Sequence, residues 1–553
     1  MTAFQTHTVD NQPPEFAPRD LWATDAALRE AVLRESDDTH VARLAGYGAL
    51  AGDELYRLSF DAHRDKPRLR THDRFGHRID TVEFHPAYHR LMSAAIEHGV
   101  ASLSWQGASW SQPQPGAHVA RAALSYLHHQ VEPGTSCPLT MTHAAVPVLR
   151  HAPALAEWAD KATAGPYDPR DIPIADKAGV TLGMGMTEKQ GGSDVRANTT
   201  TATPHSADGA ASLHAYSLVG HKWFFSAPMS DGFLVLAQAP GGLSCFLLPR
   251  RLPDGTKNAF QLMRLKDKLG DWSNASSEVE FTGASAWRIG DEGRGVATIL
   301  EMVMLTRLDC MLGSAAEMRM ALAQALHHAS HRRAFGKRLL EQPLMRNVLA
   351  DLALESEAAL VLSMRVARAV DAAPRDPREA ALARVATAIG KYWICKRAPA
   401  FVNEAQECLG GAGYVEESIL PRLYRQAPLN SIWEGSGNIQ CLDVLRALAR
   451  EPAAGDALWT ELETARGVHS AYDHALESLR SLLTTESHVE PSQARILVER
   501  LALALQAGLL FRAGSPMAAA FCTSRLQAGH GLVFGTLMHD TGFAAILDRA
   551  MPS

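Results

Sequence analysis

VTLGMGMTEKQGGSD, residues 180–194, is where the helical pattern of the chain gives way to strand. Val180 to Met186 is apolar or glycine at nearly every position and reads as a buried strand. Thr187 to Asp194 follows, with two adjacent glycines, two hydroxyls and several free backbone N–H groups. Such a loop wraps a phosphate or the polar edge of a heterocycle, and a plain hairpin loop has a similar make-up. Ser217 to Ser226 (SLVGHKWFFS) is aromatic and β-rich. Phe233–Ala237 and Ser244–Leu248 form a hairpin across Gly241-Gly242, and Ser277–Phe281 alternates like a half-exposed strand. Strands without helices between them predict an antiparallel barrel or sandwich over residues 178–290, not a doubly wound sheet.

On the N-terminal side, residues 1 to about 17 read as a polar arm. Asp20–Gly52 reads as helix, with Asp25 as N-cap and Leu28, Val32 and Leu33 at helical spacing. His63–Arg78 carries six Arg or Lys against two Asp, a solvated connector or a phosphate-facing patch. Ala87–Trp158 is helical again, with Val119, Ala122, Ala123, Tyr126 and Leu127 on one face. Residues 1–177 form a helical domain on this reading. On the C-terminal side, Pro343 opens a helix whose face is Leu344, Val348, Leu352, Ala359, Leu362, Val366 and Val370. Arg378–Leu409 is another, bent at Pro399 and closed by Gly410-Gly411. Long helices with short links predict an antiparallel bundle over 291–450. Residues 451–553 lack Lys and are rich in Ala and Leu, which predicts a separate helical domain. The fold class is thus mainly α with a central antiparallel β domain.

The chain of 553 residues is 46% apolar and 21% charged, with a net charge of −6, ordinary for a globular protein. That balance excludes a globally basic nucleic-acid binder and leaves room for a local patch. Seven cysteines without a C-x-x-C pair point to reduced, buried thiols in the cytoplasm. No charged leader precedes an apolar core at the N-terminus, and the longest apolar run, Leu501–Phe511, is too short to span a bilayer. No membrane contact and no metal site are expected.

WEGSGN, residues 433–438, sets a carboxylate beside a large aromatic and a run of small residues. Glycine on both sides of Ser436 lets a flat or phosphorylated ligand approach the backbone. Trp433 would dry the site and raise the Glu434 pKa, as a general base requires. Taken alone, the stretch also fits a surface glutamate in a glycine-rich turn.

Met186-Thr187-Glu188 through Gly192-Ser193-Asp194, then HRRAFG (331–336), LGGAGY (409–414) and WEGS (433–436) occur in one order. In that order, and with helices, β domain and bundle following one another, residues 100–450 resemble the acyl-CoA dehydrogenase family. MTEKQGGSD, GHKWFFS, NSIWEGSGN and the extra C-terminal stretch are most similar to its alkylation-response, or AidB, branch, which is isovaleryl-CoA dehydrogenase-like. The resemblance implies FAD. It places Met184, Met186, Thr187, Gly192 and Ser193 at the cofactor, with Phe224, Phe225 and Ser226 against the isoalloxazine. Ile432, Trp433, Gly435, Ser436, Gly437 and Asn438 complete that side. Arg332, Phe335 and the Gly410-Gly411 turn would reach FAD in a neighbouring subunit, which implies a homo-oligomer, commonly a tetramer. Glu434 falls at the catalytic base. Arg307, after Thr306, is a substrate contact or a structural ion pair.

The chain departs from the family pattern at Phe224-Phe225-Ser226-Ala227 and at Gln342-Pro343. The bulk of Phe224 and Trp433 would narrow an acyl pocket. Two functions follow: slow dehydrogenation of a short or branched acyl-CoA, or a flavoprotein that binds and protects double-stranded DNA during alkylation stress. For the second, Arg446 and Arg450 lead into residues 451–553, which hold seven Arg against eleven Asp or Glu.

Overall fold

The computed structural model describes residues 6–16, 19–109, 112–205, 215–485, 489–527, 531–538 and 542–552. Residues 1–5 and 17 of the polar arm lie outside them. The N-terminal third is helical: α1 (Ala26–Glu35), α2 (Val41–Leu50), α3 (Tyr56–Arg64), α4 (Pro86–His98), α5 (Ala117–His129), α6 (Pro133–Leu149) and α7 (Ala156–Ala164). Asp25 caps α1 by accepting from the Leu28 N–H at 3.0 Å. Leu28 and Val32 are buried, but Leu33 is 53% exposed and belongs to the outer face. The basic stretch after α3 is a hairpin, β1 (Arg68–His72) and β2 (Arg78–Glu83). Its cations are mostly paired: Arg64 with Asp61, Lys66 with Asp267, Arg68 with Asp65, Arg70 with Glu83 and Arg78 with Asp80. A short pairing of β3 (Gly107–Ser109) with β4 (Gln112–Pro113) precedes α5.

The central sheet holds β5 (Leu182–Gly185), β6 (Thr201–Pro204), β7 (Ala215–Ser226), β8 (Gly232–Ala239), β9 (Gly242–Pro249), β10 (Phe260–Leu265) and β11 (Ser276–Ile289). β11, β7, β6, β8 and β9 close into a ring, because β9 pairs with both β8 and β11; β10 and β5 flank it. A barrel is therefore the observed form. Its pairing is not wholly antiparallel: β5 lies parallel to β8, from Leu182↔Gly232 to Gly185↔Val235. Two more strands intervene between β5 and β8 in sequence, and that long connection is what a parallel pairing requires. Phe225, Phe233, Phe246, Phe260 and Phe281 fill the barrel.

Beyond the barrel, α8 (Gly295–His331), α9 (Pro343–Ala372) and α10 (Pro377–Leu409) form an antiparallel bundle, with β12 (Arg333–Ala334) and β13 (Lys337–Arg338) as a small hairpin after α8. α10 runs unbroken through Pro399 to Gly410. Next come α11 (Leu420–Gln426), α12 (Gly437–Arg450), α13 (Pro452–Glu463), α14 (Ser470–Thr485), α15 (Ala494–Arg512), α16 (Ala518–Leu526) and α17 (Phe543–Ala550). The predicted boundary at residue 450 marks a change of composition but not of core. α15 packs on α9, α10 and α12, and α17 packs on α9. Leu497, Leu501, Phe521 and Ile546 share one apolar cluster with Leu352, Val366 and Phe401. Arg525 pairs with Asp351 and Glu355, and Arg549 with Glu30 and Glu357, which ties the last helices to α9 and α1.

Candidate functional site

Glu434 sits in the loop between α11 and α12, with φ of +58°, and Gly435 follows at +92°. A left-handed non-glycine is strained and persists only where its surroundings fix it. Here three side chains do so. Lys391 Nζ donates to the carbonyls of Asn430, Trp433 and Gly435 at 3.1, 2.8 and 2.8 Å. Gln440 Nε2 donates to the carbonyls of Glu434 and Gly435 at 3.1 and 2.9 Å. Arg307 Nε donates to the Glu434 carbonyl at 3.1 Å. The carboxylate itself accepts from Thr306 Oγ1 at 2.7 Å. Burial pushes the Glu434 carboxyl above its ordinary range, while the Thr306 hydrogen bond and the Lys391 and Arg307 charges pull it down. The carboxylate is half-buried, on a turn whose Ile432 and Ser436 are exposed, and it faces inward onto Thr306, as proton removal from carbon requires.

The geometry of Arg307 shows a structural role. Its Nη1 pairs with Asp443 at 3.0 Å, and Asp443 also holds Arg384 at 2.9 Å. The guanidinium thus fastens α8 to the base loop and to α12.

The glycine loop has a buried anchor, besides the Lys189 N–H donating to His221 Nε2 at 3.0 Å. Glu188 and Lys222 are both fully buried and pair at 2.8 Å. Glu188 also accepts from the Thr199 N–H at 2.7 Å, the Thr200 N–H at 3.2 Å and Gln190 Nε2 at 2.9 Å. Lys189 to Asp194 lie exposed beyond this knot, Ser193 among them, and Thr187 is half-buried. A Cβ on Gly192 would sit 2.3 Å from Thr187 Oγ1, so only glycine lets the loop fold back on that hydroxyl.

β7 carries a bulge at the site. Ser277 faces Phe225 and Val279 faces Lys222, so Trp223 and Phe224 together oppose Glu278. An extra residue re-aims the side chains of a strand. Phe224 is turned out and 51% exposed. Phe225 points the other way into the barrel, its ring 4.2 Å from that of Phe233. Strand alternation thus seals the Phe225 ring inside the barrel, on the face away from Phe224. Ser226 stays half-buried at the end of the strand.

Met184 belongs to an apolar cluster with Leu182, Ile299, Met302 and Leu305, and Met186 and Trp433 pack against it. The glycine loop and the base loop therefore meet on one cluster between barrel and bundle. Gly437 opens α12 with Ser436 at its N-cap, and Ile432, Ser436 and Asn438 are exposed on the lip. Arg332, Phe335, Gly410 and Gly411 are not part of this assembly. They lie beyond the far ends of α8 and α10, and 25 residues of continuous helix separate Thr306 from His331, roughly 38 Å. That end carries exposed apolar side chains, Phe335 at 98%, Leu344 at 81% and Tyr414 at 80%, beside the exposed cations Arg333, Lys337 and Arg338. Arg332 Nη1 donates to the Asn11 carbonyl at 2.6 Å, laying the N-terminal segment along the same hairpin.

Residues 11–169 match the adaptive response protein AidB N-terminal domain, 183–284 the acyl-CoA dehydrogenase middle domain and 293–449 the acyl-CoA dehydrogenase C-terminal domain. AidB of Escherichia coli (strain K12) is 47% identical over 532 residues, 96% of each chain. The chain belongs to the acyl-CoA dehydrogenase family, in its AidB branch. Acyl-CoA dehydrogenase family member 11 of Caenorhabditis elegans is 32% identical, covering 84% of this chain and 77% of that one. The crystal structure of Caenorhabditis elegans ACDH-11 in complex with C11-CoA superposes with a TM-score of 0.84 at 27% identity, over 100% of this chain and 94% of the other.

Within that family frame, sequence reasoning missed Lys391 and the Glu188–Lys222 pair. A signal for Lys391 was present: a lone cation in the apolar run Ala388-Ile389-Gly390-Lys391-Tyr392. None existed for Glu188 and Lys222, which strand pairing alone brings together. Among the described residues no group of three metal-ligating side chains occurs and no helix is long and apolar enough to cross a membrane. All seven cysteines are buried and free.

Proposed function

We propose that the chain is an FAD-bearing oxidoreductase that dehydrogenates a short or branched acyl-CoA between its α and β carbons. The observation that carries this is Glu434, an inward carboxylate on Thr306, set across one apolar cluster from the glycine loop. The residues present fit FAD. The exposed Lys189–Asp194 backbone and Ser193 offer donors to phosphate, Gly192 leaves room beside Thr187, and Phe224 presents an outward ring. When bound, FAD supplies the acceptor for the β-hydride. The chain does the rest. Glu434 takes the α-proton onto its carboxylate, Thr306 orients that carboxylate, and Trp433 with Met186 keeps water from it. The test is anaerobic mixing of the yellow holoprotein with isovaleryl-CoA. Slow loss of flavin absorbance is expected, and an unchanged spectrum with every short or branched acyl-CoA would sink the reading.

The Arg332 end supports a homotetramer with the cofactor shared across subunits, since this end carries exposed apolar side chains and is too far from Glu434 to serve the same chain. Arg332→Ala is expected to lower FAD affinity about 10- to 100-fold, as loss of a charge-assisted bond does, and to shift assembly to smaller species. Light scattering with flavin absorbance reads both. Full FAD on a monomeric wild type would contradict it.

Double-stranded DNA is the second reading, and one observation favours it: Arg446 and Arg450 are exposed one turn apart on α12. Five of the seven later arginines are held in ion pairs: Arg466, Arg480, Arg512, Arg525 and Arg549. Duplex binding should therefore engage few phosphates, with a slope of log affinity against log salt no steeper than about −2. Arg446→Ala and Arg450→Ala should each flatten it by about one contact. A salt titration checks this; a steep slope untouched by both variants would place any DNA surface elsewhere.

A further inference from the structure

Lys391 lies in the middle of α10, 1% exposed. Among the described residues no carboxylate stands within ion-pair distance of it. Its three N–H bonds go to carbonyls on both sides of the strained Glu434, those of Asn430, Trp433 and Gly435. A buried ammonium without a counter-ion is costly, and three converging carbonyl dipoles are what make it tolerable. Reciprocally, those carbonyls converge because the cation is there.

We propose that Lys391 is the positioning residue of the catalytic base, fixing the left-handed turn that aims Glu434 inward. The proposal rests on Glu434 being the base.

The charges facing Glu434 come from three helices. α8 contributes Arg307 and the thiol of Cys310, α10 contributes Lys391, and α12 contributes Asp443 through Arg307. Asp443 lies 3.0 Å from Arg307 and is shared with Arg384 at 2.9 Å, so it offsets the Arg307 charge only in part. Burial and its neighbours keep the Cys310 thiol protonated, its pKa raised well above the ordinary value. Arg307 acts on the carboxyl in the same direction, and Lys391 is the cation beside the base that, among the described residues, has no carboxylate of its own. A cation favours the ionised carboxylate, so removing it raises the pH at which Glu434 loses its proton. Geometry and charge thus act through one side chain: the bonds place the carboxylate and the ammonium holds it ready to accept a proton.

Lys391→Met keeps the length of the side chain and loses both the donors and the charge. Lys391→Arg keeps the charge, but its planar fork cannot converge on three carbonyls as an ammonium does. Both are compared with wild type and Glu434→Gln as holoproteins. Flavin content, thermal midpoint and the pH profile of bleaching by isovaleryl-CoA are measured. The infrared carboxyl band of Glu434, isolated by difference from Glu434→Gln, gives its protonation midpoint without any turnover. In Lys391→Met the band midpoint and the acid limb of the rate profile should both move up by about one pH unit or more. The plateau rate should fall on the order of 10- to 100-fold at unchanged flavin content. In Lys391→Arg the plateau should fall while the acid limb stays. An unmoved midpoint in Lys391→Met, or a loss equal at every pH that tracks lost flavin, overturns the proposal. Should Lys391→Met not fold, Lys391→Arg with the wild-type plateau overturns it alone. Glu434→Gln bleaching at the wild-type rate would remove the base assignment itself, a result distinct from either.

Discussion

Glu434→Gln is expected to slow flavin reduction by a CoA thioester about 10²- to 10⁴-fold, the range a general base contributes, or about 3 to 5 kcal/mol of barrier. Gln keeps the length and the oxygen that accepts from Thr306, so the turn and its clamps stay in place. It cannot take the α-proton. The cofactor contacts lie on the glycine loop, β7 and the lip of α12, so flavin content should match wild type. The wild-type rate should rise with pH, because the base must be ionised. Burial raises the carboxyl above its ordinary value of 4.5, so the acid limb should lie above pH 4.5. Stopped-flow bleaching across pH with wild type and variant measures all of this. Equal slow rates for the two proteins would mean that the proton leaves by another route.

The Glu434 turn is marked in the sequence by a local pattern, an acidic residue between an aromatic and glycines inside six positions, and the family resemblance is what proposes it as the base. The glycine loop from Thr187 to Ser193 is an equally local pattern, and the barrel is legible because its strands follow one another without helices. What stayed hidden depends on contacts distant in sequence. The family resemblance implies Phe225 at the flavin; strand alternation turns its ring away from Phe224, and the rings of Phe233, Phe260 and Phe281 around it show that side to be the barrel interior. Arg307 could not be assigned without Asp443, 136 residues away. The last hundred residues read as a separate domain because Lys vanishes there, whereas the apolar faces of α15 and α17 join the core of α9 and α10. Composition reports on the solvent face, and core continuity is set by the other one.

Glu188→Ala is expected to destabilise the glycine loop by about 3 to 5 kcal/mol, the cost of breaking a buried ion pair. Lys222 would keep only the Leu236 carbonyl at 2.8 Å and a longer contact to that of Met186 at 3.5 Å. The Thr199 and Thr200 N–H groups and Gln190 would lose their acceptor together. Lys222→Met should cost less, because Glu188 keeps those same donors. Both variants should release flavin at lower temperature, Glu188→Ala first, as read by flavin fluorescence during heating. The pH dependence has a definite sign. Burial alone would raise the Glu188 carboxyl, but the Lys222 ammonium and the hydrogen bonds override it and hold it at about 2 against an ordinary 4.5. A depressed carboxyl contributes stability that is whole above pH 4.5 and is lost as pH falls toward 2. The gap between wild type and Glu188→Ala should therefore be widest near neutrality and close through that acid window. A gap that stays constant from pH 7 down to pH 3 would mean that the loop is held by something other than this charge.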